Sequence, residues 1–288
     1  MPKEDSFTVH LFTDLDRTLL PNGLHDADLE ANTILFELCS MGHVELTYVT
    51  GRSLQLTQKA IRDYALPKPK FVITDVGAHI YADSNNAWQH DPEWHDTLAN
   101  DWPDDATTEL HHALSNLETL SLQEPDKQTR FKLSYYFERA QHEKIVEHVH
   151  DALATLSKDY KLVSSIDEPN DIGLLDLLPP SADKLEAIRF LIDKLGLDHE
   201  HIVFSGDSGN DLPVVTSELK SLLVRNACPK VQAQAQQRCQ TDDLNETLYI
   251  AQGDFLGFNG HYGSGILEGL CHFFPHLTQE IASQRERL

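Results

Sequence analysis

An apolar run that stops at two carboxylates is the strongest constraint on how this chain can fold. Val9, Leu11 and Phe12, then Thr13, read as a buried strand, and it ends in Asp14-Leu15-Asp16-Arg17-Thr18 with acids at i and i+2. A second run, Ile202-Val203-Phe204, leads into Gly206-Asp207-Ser208-Gly209-Asn210-Asp211. In open α/β sheets, ligands bind outside the carboxyl ends of the strands. If the two strands are parallel neighbours, four carboxylates converge at one sheet edge. That much negative charge requires a cation, and an all-oxygen shell suits Mg²⁺.

The rest of the chain supplies such a sheet. After the first strand, apolar Leu29, Ile34, Leu35 and Leu38 mark a helix over about 26–41. A strand from Val44 to Val49 ends at Thr50-Gly51-Arg52-Ser53, where Ser53 is placed to cap the next helix. Phe71-Val72-Ile73-Thr74 is a third strand. This β-α-β-α-β order predicts a parallel sheet with right-handed crossovers. The pattern changes after about 82. A polar stretch, 84–128, holds Trp88, Trp94 and Trp102; strands at Phe131 to Phe137, Tyr160 to Ser165 and Ile172 to Leu177 follow, with a helix from Gln141 to Leu156. Near 181 the first pattern resumes, with a helix from Ala182 to Leu195, strands at His201–Phe204 and Ser221–Val224, and a last helix over about Gly263 to Phe274. The expectation is an α/β core made of residues 1–82 and 178–288, with an α+β cap inserted at 83–177 that can act as a lid.

Each candidate residue has an ordinary reading beside its chemical one. Asp14 is placed to attack phosphorus and form an aspartyl-phosphate. Asp16 is placed to protonate the leaving alcohol and then to activate water. A single aspartate after a strand is commonly a helix cap, but two of them closing an apolar strand weaken that reading. Asp207 and Asp211 are candidate Mg²⁺ ligands, with Asp207 the better direct ligand; alone, their segment would pass for a polar surface turn. Thr50 and Gly51 offer a hydroxyl and backbone N–H groups to phosphate oxygens. Lys184 can neutralise charge on the transferring group, although most single lysines are solvated. Arg52 and Lys132 are candidate contacts to an anionic substrate. The three tryptophans suit either stacking on sugar rings or the core of the cap.

Together these elements resemble the haloacid dehalogenase (HAD) superfamily of phosphohydrolases. The order matches: Asp14/Asp16, then Thr50, then Lys184, then Asp207/Asp211. The resemblance implies a Rossmann-like core, a cap of the Cof type, and Mg²⁺ held by Asp14, the backbone carbonyl of Asp16, and Asp207. A narrower resemblance is to sucrose-phosphate phosphatases. It rests on Tyr48-Val49-Thr50-Gly51-Arg52-Ser53, Asp75-Val76-Gly77-Ala78-His79-Ile80-Tyr81, Lys132-Leu133-Ser134-Tyr135, Leu223-Val224-Arg225-Asn226-Ala227 and Gly263-Ser264-Gly265-Ile266-Leu267-Glu268-Gly269. That family carries Glu where this chain has His79, in a loop facing the sugar. The resemblance implies Mg²⁺-dependent hydrolysis of a sugar phosphate, foremost sucrose 6-phosphate, with Arg52, His79, Lys132 and Asn210 near the substrate. Mannosylfructose-type, mannosylglycerate-type and phosphomutase activities are the enzymatic alternatives. A catalytically silent partner of a sugar-phosphate synthase is the non-enzymatic one, and association with such a synthase remains open to an active enzyme too.

Composition narrows the partners. With 23 Lys+Arg against 46 Asp+Glu, the formal charge of -23 disfavours nucleic acid and anionic membranes. It also makes the few basic residues at the site more informative. The four cysteines lack a CxxC spacing and the chain opens without an apolar leader, so a reduced, cytoplasmic compartment is expected.

Overall fold

The computed structural model describes residues 8–85, 87–156, 159–167 and 170–287. Among them are β1 (Val9–Thr13), β2 (Val44–Val49), β3 (Phe71–Thr74), β4 (His79–Ser84), β5 (Ala87–His90), β6 (Leu120–Leu122), β7 (Leu133–Glu138), β8 (Lys161–Asp167), β9 (Ile172–Leu178), β10 (Ile202–Gly206), β11 (Ser221–Leu223) and β12 (Leu248–Ile250). The large sheet runs β12-β11-β10-β1-β2-β3-β4-β5. Its first six strands pair in parallel, as the alternation of apolar runs and amphipathic helices predicts, and only β4 and β5 pair antiparallel. The strands are apolar on both faces because helices cover both; Leu11, Val203, Val49 and Ile73 have no exposed surface.

β1 and β10 are direct parallel neighbours, with Phe12 opposite Phe204 and Thr13 opposite Ser205. Thr13 and Ser205 also share a hydroxyl hydrogen bond of 2.7 Å, and the Asp14 amide donates to the Ser205 carbonyl at 2.9 Å. The two acidic strand ends are therefore fixed side by side, as their sequence pattern required.

A second sheet, β6-β7-β9-β8, is wholly antiparallel. It packs the helix His142–Leu153 through Ile145, Val149 and Leu153. The expected edges of the insertion need adjustment. The 82/83 boundary falls inside β4, and β5 adds the last strand of the large sheet. Short alternating segments such as Ala87–His90 carry no crossover signal, so the sequence alone merges them with the polar stretch. The helices Pro229–Thr241 and Leu277–Arg285 also extend beyond the elements read from the sequence.

Ser53 does sit at the N-cap of the helix Leu54–Asp63, but its hydroxyl makes no capping bond. The turn after β3 is tighter than the sequence suggests. Asp75, Val76 and Gly77 all adopt left-handed φ values of 55°, 60° and 99°. A Cβ on Gly77 would lie 2.2 Å from the Asp183 carbonyl oxygen, so glycine here lets the turn touch the start of the helix Lys184–Leu195. That contact brings Lys184 up to the strand ends. Among the described residues, no helix is long and apolar enough to cross a membrane.

Candidate active site

The carboxyl ends of β1, β2, β3 and β10 open into a cleft of about 650 Å³, closed on its other side by the second sheet. This is the size class of sites for small molecules. Asp14, Asp16, Gly51, Arg52, Lys132 and Asn210 all line it.

Beneath the cleft lies a buried ionic knot. The Lys184 ammonium donates to Asp14 Oδ1 at 2.8 Å and to Asp211 Oδ1 at 2.7 Å, with no side-chain exposure. Asp183 caps the helix by accepting from the Glu186 amide, so Lys184 starts the first turn. The other oxygen of Asp211 accepts from the amides of Asp207 and Ser208, both at 3.0 Å. Asp211 thus orders the Gly206–Asp211 loop. Asp207 accepts from the Thr18 hydroxyl at 3.3 Å and pairs with Arg17 Nε at 3.2 Å.

Two cations cannot balance this set fully. Burial drives the Asp14 carboxyl up to about 7, against the pull of Lys184. Burial likewise holds Asp207 well above the ordinary carboxylate range, against Arg17. Ligand oxygens of Asp14, Asp207 and Asp211 lie within 4.8 Å of one another. An all-carboxylate donor set left short of positive charge fits a hard divalent cation such as Mg²⁺. Asp14 and Asp207 are the better placed, because Asp211 already serves Lys184 and the loop amides. The Asp16 carboxylate stands outside the cluster, so only its backbone is left to meet the expectation of a ligand there.

Asp16 is instead clamped. Arg52 donates from Nη2 to Oδ1 at 2.6 Å and from Nε to Oδ2 at 2.7 Å, and Asn22 donates to Oδ1 at 2.6 Å. Burial opposes ionisation, but the Arg52 bonds outweigh it and the Asp16 pKa is lowered. Arg52, expected at the substrate, lines the cleft and also orients a neighbouring carboxylate. Lys132 behaves similarly: its buried ammonium lies 2.9 Å from Asp75 Oδ1 and 3.0 Å from the Gly51 carbonyl oxygen. The Thr50 hydroxyl is fully buried and accepts from the Arg52 amide at 3.2 Å, while Gly51, Arg52 and Ser53 of that turn line the cleft.

His79 departs from its expected place. Its ring sits outside the cleft lining, 5.5 Å from Phe131 and 5.7 Å from His90 between centroids. Burial, with His90, His95 and Lys132 nearby, lowers its pKa to about 3. A neutral ring among aromatics is the packing this environment favours. The tryptophans also stay off the cleft: Trp94 donates to the Gly77 carbonyl and Trp102 to that of Arg130. The aromatic facing the cleft is Tyr136, whose hydroxyl donates to Glu124 at 2.8 Å and accepts from Lys127. Sequence reading missed Tyr136, Arg17, Asn22 and Asp75. Arg17 was nonetheless inside the first motif, and its φ of 59° is a conformation few non-glycine residues hold outside functional turns.

The chain is similar to known proteins over most of its length. The family model described as Sucrose-6F-phosphate phosphohydrolase matches residues 7–274. A putative HAD-like hydrolase of Nitrosococcus oceani is 42% identical over 277 residues, covering 96% of this chain and 74% of the relative. A glucosylglycerol-phosphate synthase of Pseudomonas anguilliseptica is 29% identical over 281 residues, but the match spans only 32% of that longer protein. Among solved structures, the sucrose-phosphatase of Synechocystis in complex with sucrose and phosphate superposes with a TM-score of 0.76 at 25% identity, over 92% of this chain and 98% of the other.

Proposed function

The chain belongs to the Sucrose-6F-phosphate phosphohydrolase family, a phosphoric monoester hydrolase of sugar phosphates, and we propose that its substrate is sucrose 6-phosphate. The observation that carries this reading is the Asp14–Lys184–Asp211 knot, with Asp207 grouped beside it, at the floor of a cleft of about 650 Å³. In this reading the sequence from 83 to 177 supplies most of the cap, and the cap selects the sugar.

Asp14 Oδ attacks phosphorus, and the bond to the sugar oxygen breaks. Lys184 lies against Asp14 and steadies charge on the transferring group. Arg52 and Asn22 favour the ionised form of Asp16; a phosphate dianion beside it favours the protonated form by like-charge repulsion. That form donates its proton to the departing sugar oxygen, and the resulting carboxylate takes one from the water that cleaves the aspartyl-phosphate. Gly51 presents its backbone to phosphate oxygens. Mg²⁺, held by Asp14, the Asp16 carbonyl and Asp207, would supply charge neutralisation at those oxygens.

The likeness to part of a glucosylglycerol-phosphate synthase favours a second reading, in which the sugar phosphate carries a smaller aglycone. It also motivates association with a synthase. Phosphate release should be measured with and without a chelator on sucrose 6-phosphate, glucosylglycerol phosphate, mannosylfructose phosphate, mannosylglycerate phosphate and glucose 6-phosphate. Strong Mg²⁺-dependent preference for sucrose 6-phosphate supports the first reading. Preference for another glycosyl phosphate moves the assignment to it, and phosphate transfer within the sugar without release would indicate a mutase.

A further inference from the structure

Lys132 belongs to the cap side of the molecule, one residue before β7, yet its ammonium ends inside the core. It sits between Asp75 Oδ1 and the Gly51 carbonyl oxygen, and the residue is 4% exposed. Both partners lie in strained or tightly bonded turns. Asp75 and Val76 hold left-handed φ values, and their amides donate to the carbonyls of Arg52 and Thr50, each at 3.0 Å. Two backbone bonds thus join the turns after β2 and β3 directly, and Lys132 adds a bridge between them, a hydrogen bond to Gly51 and an ion pair to Asp75. The next residue along, Arg52, is the one that grips Asp16 with two bonds.

We propose that Lys132 is a positioning residue that couples seating of the cap to the orientation of Asp16. With the ammonium in place, the Gly51 carbonyl is pinned, the turn is set, and the Arg52 fork meets the Asp16 carboxylate squarely. With the cap lifted, Lys132 leaves, Asp75 loses its buried partner, and the turn that carries Arg52 relaxes. Asp16 is then held in its working orientation only while the cap is seated, which limits productive proton transfer to closed complexes. A bidentate clamp is sensitive to such relaxation, because displacements near 1 Å at a reacting group can cost about 10²-fold in rate.

The inference rests on Asp16 acting as the acid, so the experiment carries that control. Lys132→Met is made together with Asp75→Asn, which avoids leaving a lone buried carboxylate; Asp16→Asn is the reference. First-turnover alcohol release is followed at saturating substrate for a sugar phosphate, whose alkoxide leaving group needs a proton, and for 4-nitrophenyl phosphate, whose leaving group does not. The coupled-positioning account expects Asp16→Asn and the paired variant to lose roughly 10²-fold or more on the sugar phosphate and only a few-fold on the aryl phosphate. It also expects faster amide exchange at Asp75 and Val76 in the paired variant. Equal losses on both substrates in the paired variant, beside a selective loss in Asp16→Asn, would overturn the coupling and leave the acid in place. A raised KM for the sugar with unchanged first-turnover rates would make Lys132 a plain substrate contact and likewise overturn it. No leaving-group selectivity in Asp16→Asn would overturn the acid and the coupling together.

Discussion

The floor and the roof of the cleft are built on opposite principles. On the floor, Lys184, Asp14, Asp207 and Asp211 are buried, and each is fixed by at least one bond at 3.3 Å or less. On the roof, Tyr136, Lys127 and Glu124 form a partly exposed network on β7 and the turn before it. A buried ionic knot costs desolvation and tolerates little change. An exposed polar wall can be re-patterned at small cost. The floor therefore suits one invariant chemical step, and the roof suits selection among sugars. The contrast makes four expectations.

The largest effect belongs to the floor. Asp14→Asn should lower turnover on any phosphate monoester by roughly 10⁵-fold, as removal of a nucleophile does, with circular dichroism and melting behaviour near those of the parent. If more than a tenth of the activity survived, the floor would not contain the nucleophile. Lys184→Met should come next, in stability. It leaves Asp14 and Asp211 buried without their cation, and breaking a buried pair costs about 3–5 kcal/mol. Urea unfolding should show a clear loss in midpoint, and an unchanged midpoint would contradict the knot's structural role.

Outside the cleft lining, His79 gives the third expectation. With a folded pKa of about 3 against an ordinary 6.5, the unfolded chain binds its proton first as pH falls. Stability tied to this group is therefore complete above about pH 6.5 and declines toward pH 3, by up to about 1.4 kcal/mol per pH unit. Urea midpoints at pH 7 and pH 5 should differ less in His79→Gln than in the parent; equal pH dependence would place the lost stability elsewhere. The smallest effect belongs to the roof. Tyr136→Phe should raise KM for the preferred sugar phosphate by about 10-fold, the scale of one lost polar contact, with kcat for 4-nitrophenyl phosphate unchanged. Equal changes on both substrates would remove Tyr136 from sugar selection.

The same division decides what the sequence discloses. Strands such as Val44–Val49 and Phe71–Thr74 were legible to the residue, because buried parallel strands are short apolar runs. The convergence of Asp14 and Asp207 followed from parallel pairing alone. The partners of Arg52, Lys132 and Thr50 were not legible. Arg52 and Lys132 each hold a carboxylate or turn distant in sequence, as Gly51 is from Lys132, while the Thr50 hydroxyl is taken up within its own turn by the Arg52 amide. His79 was misplaced for the same reason: its surroundings, Phe131 and His90, come from two other segments. β5 escaped notice because a short exposed strand lacks a hydrophobic period, and Tyr136, on a strand that was read, because the sequence does not show which face of that strand meets the cleft.

The central claim is that the floor performs one covalent step whatever the roof admits. Acid quenching during turnover, followed by borohydride reduction and peptide mass spectrometry, reads this directly, since an acyl phosphate at an aspartate is reduced to homoserine. Sucrose 6-phosphate and 4-nitrophenyl phosphate should both yield homoserine at position 14 and at no other carboxylate. Turnover of both substrates with Asp14 unmodified, or modification that moves to another residue when the substrate changes, would contradict the account.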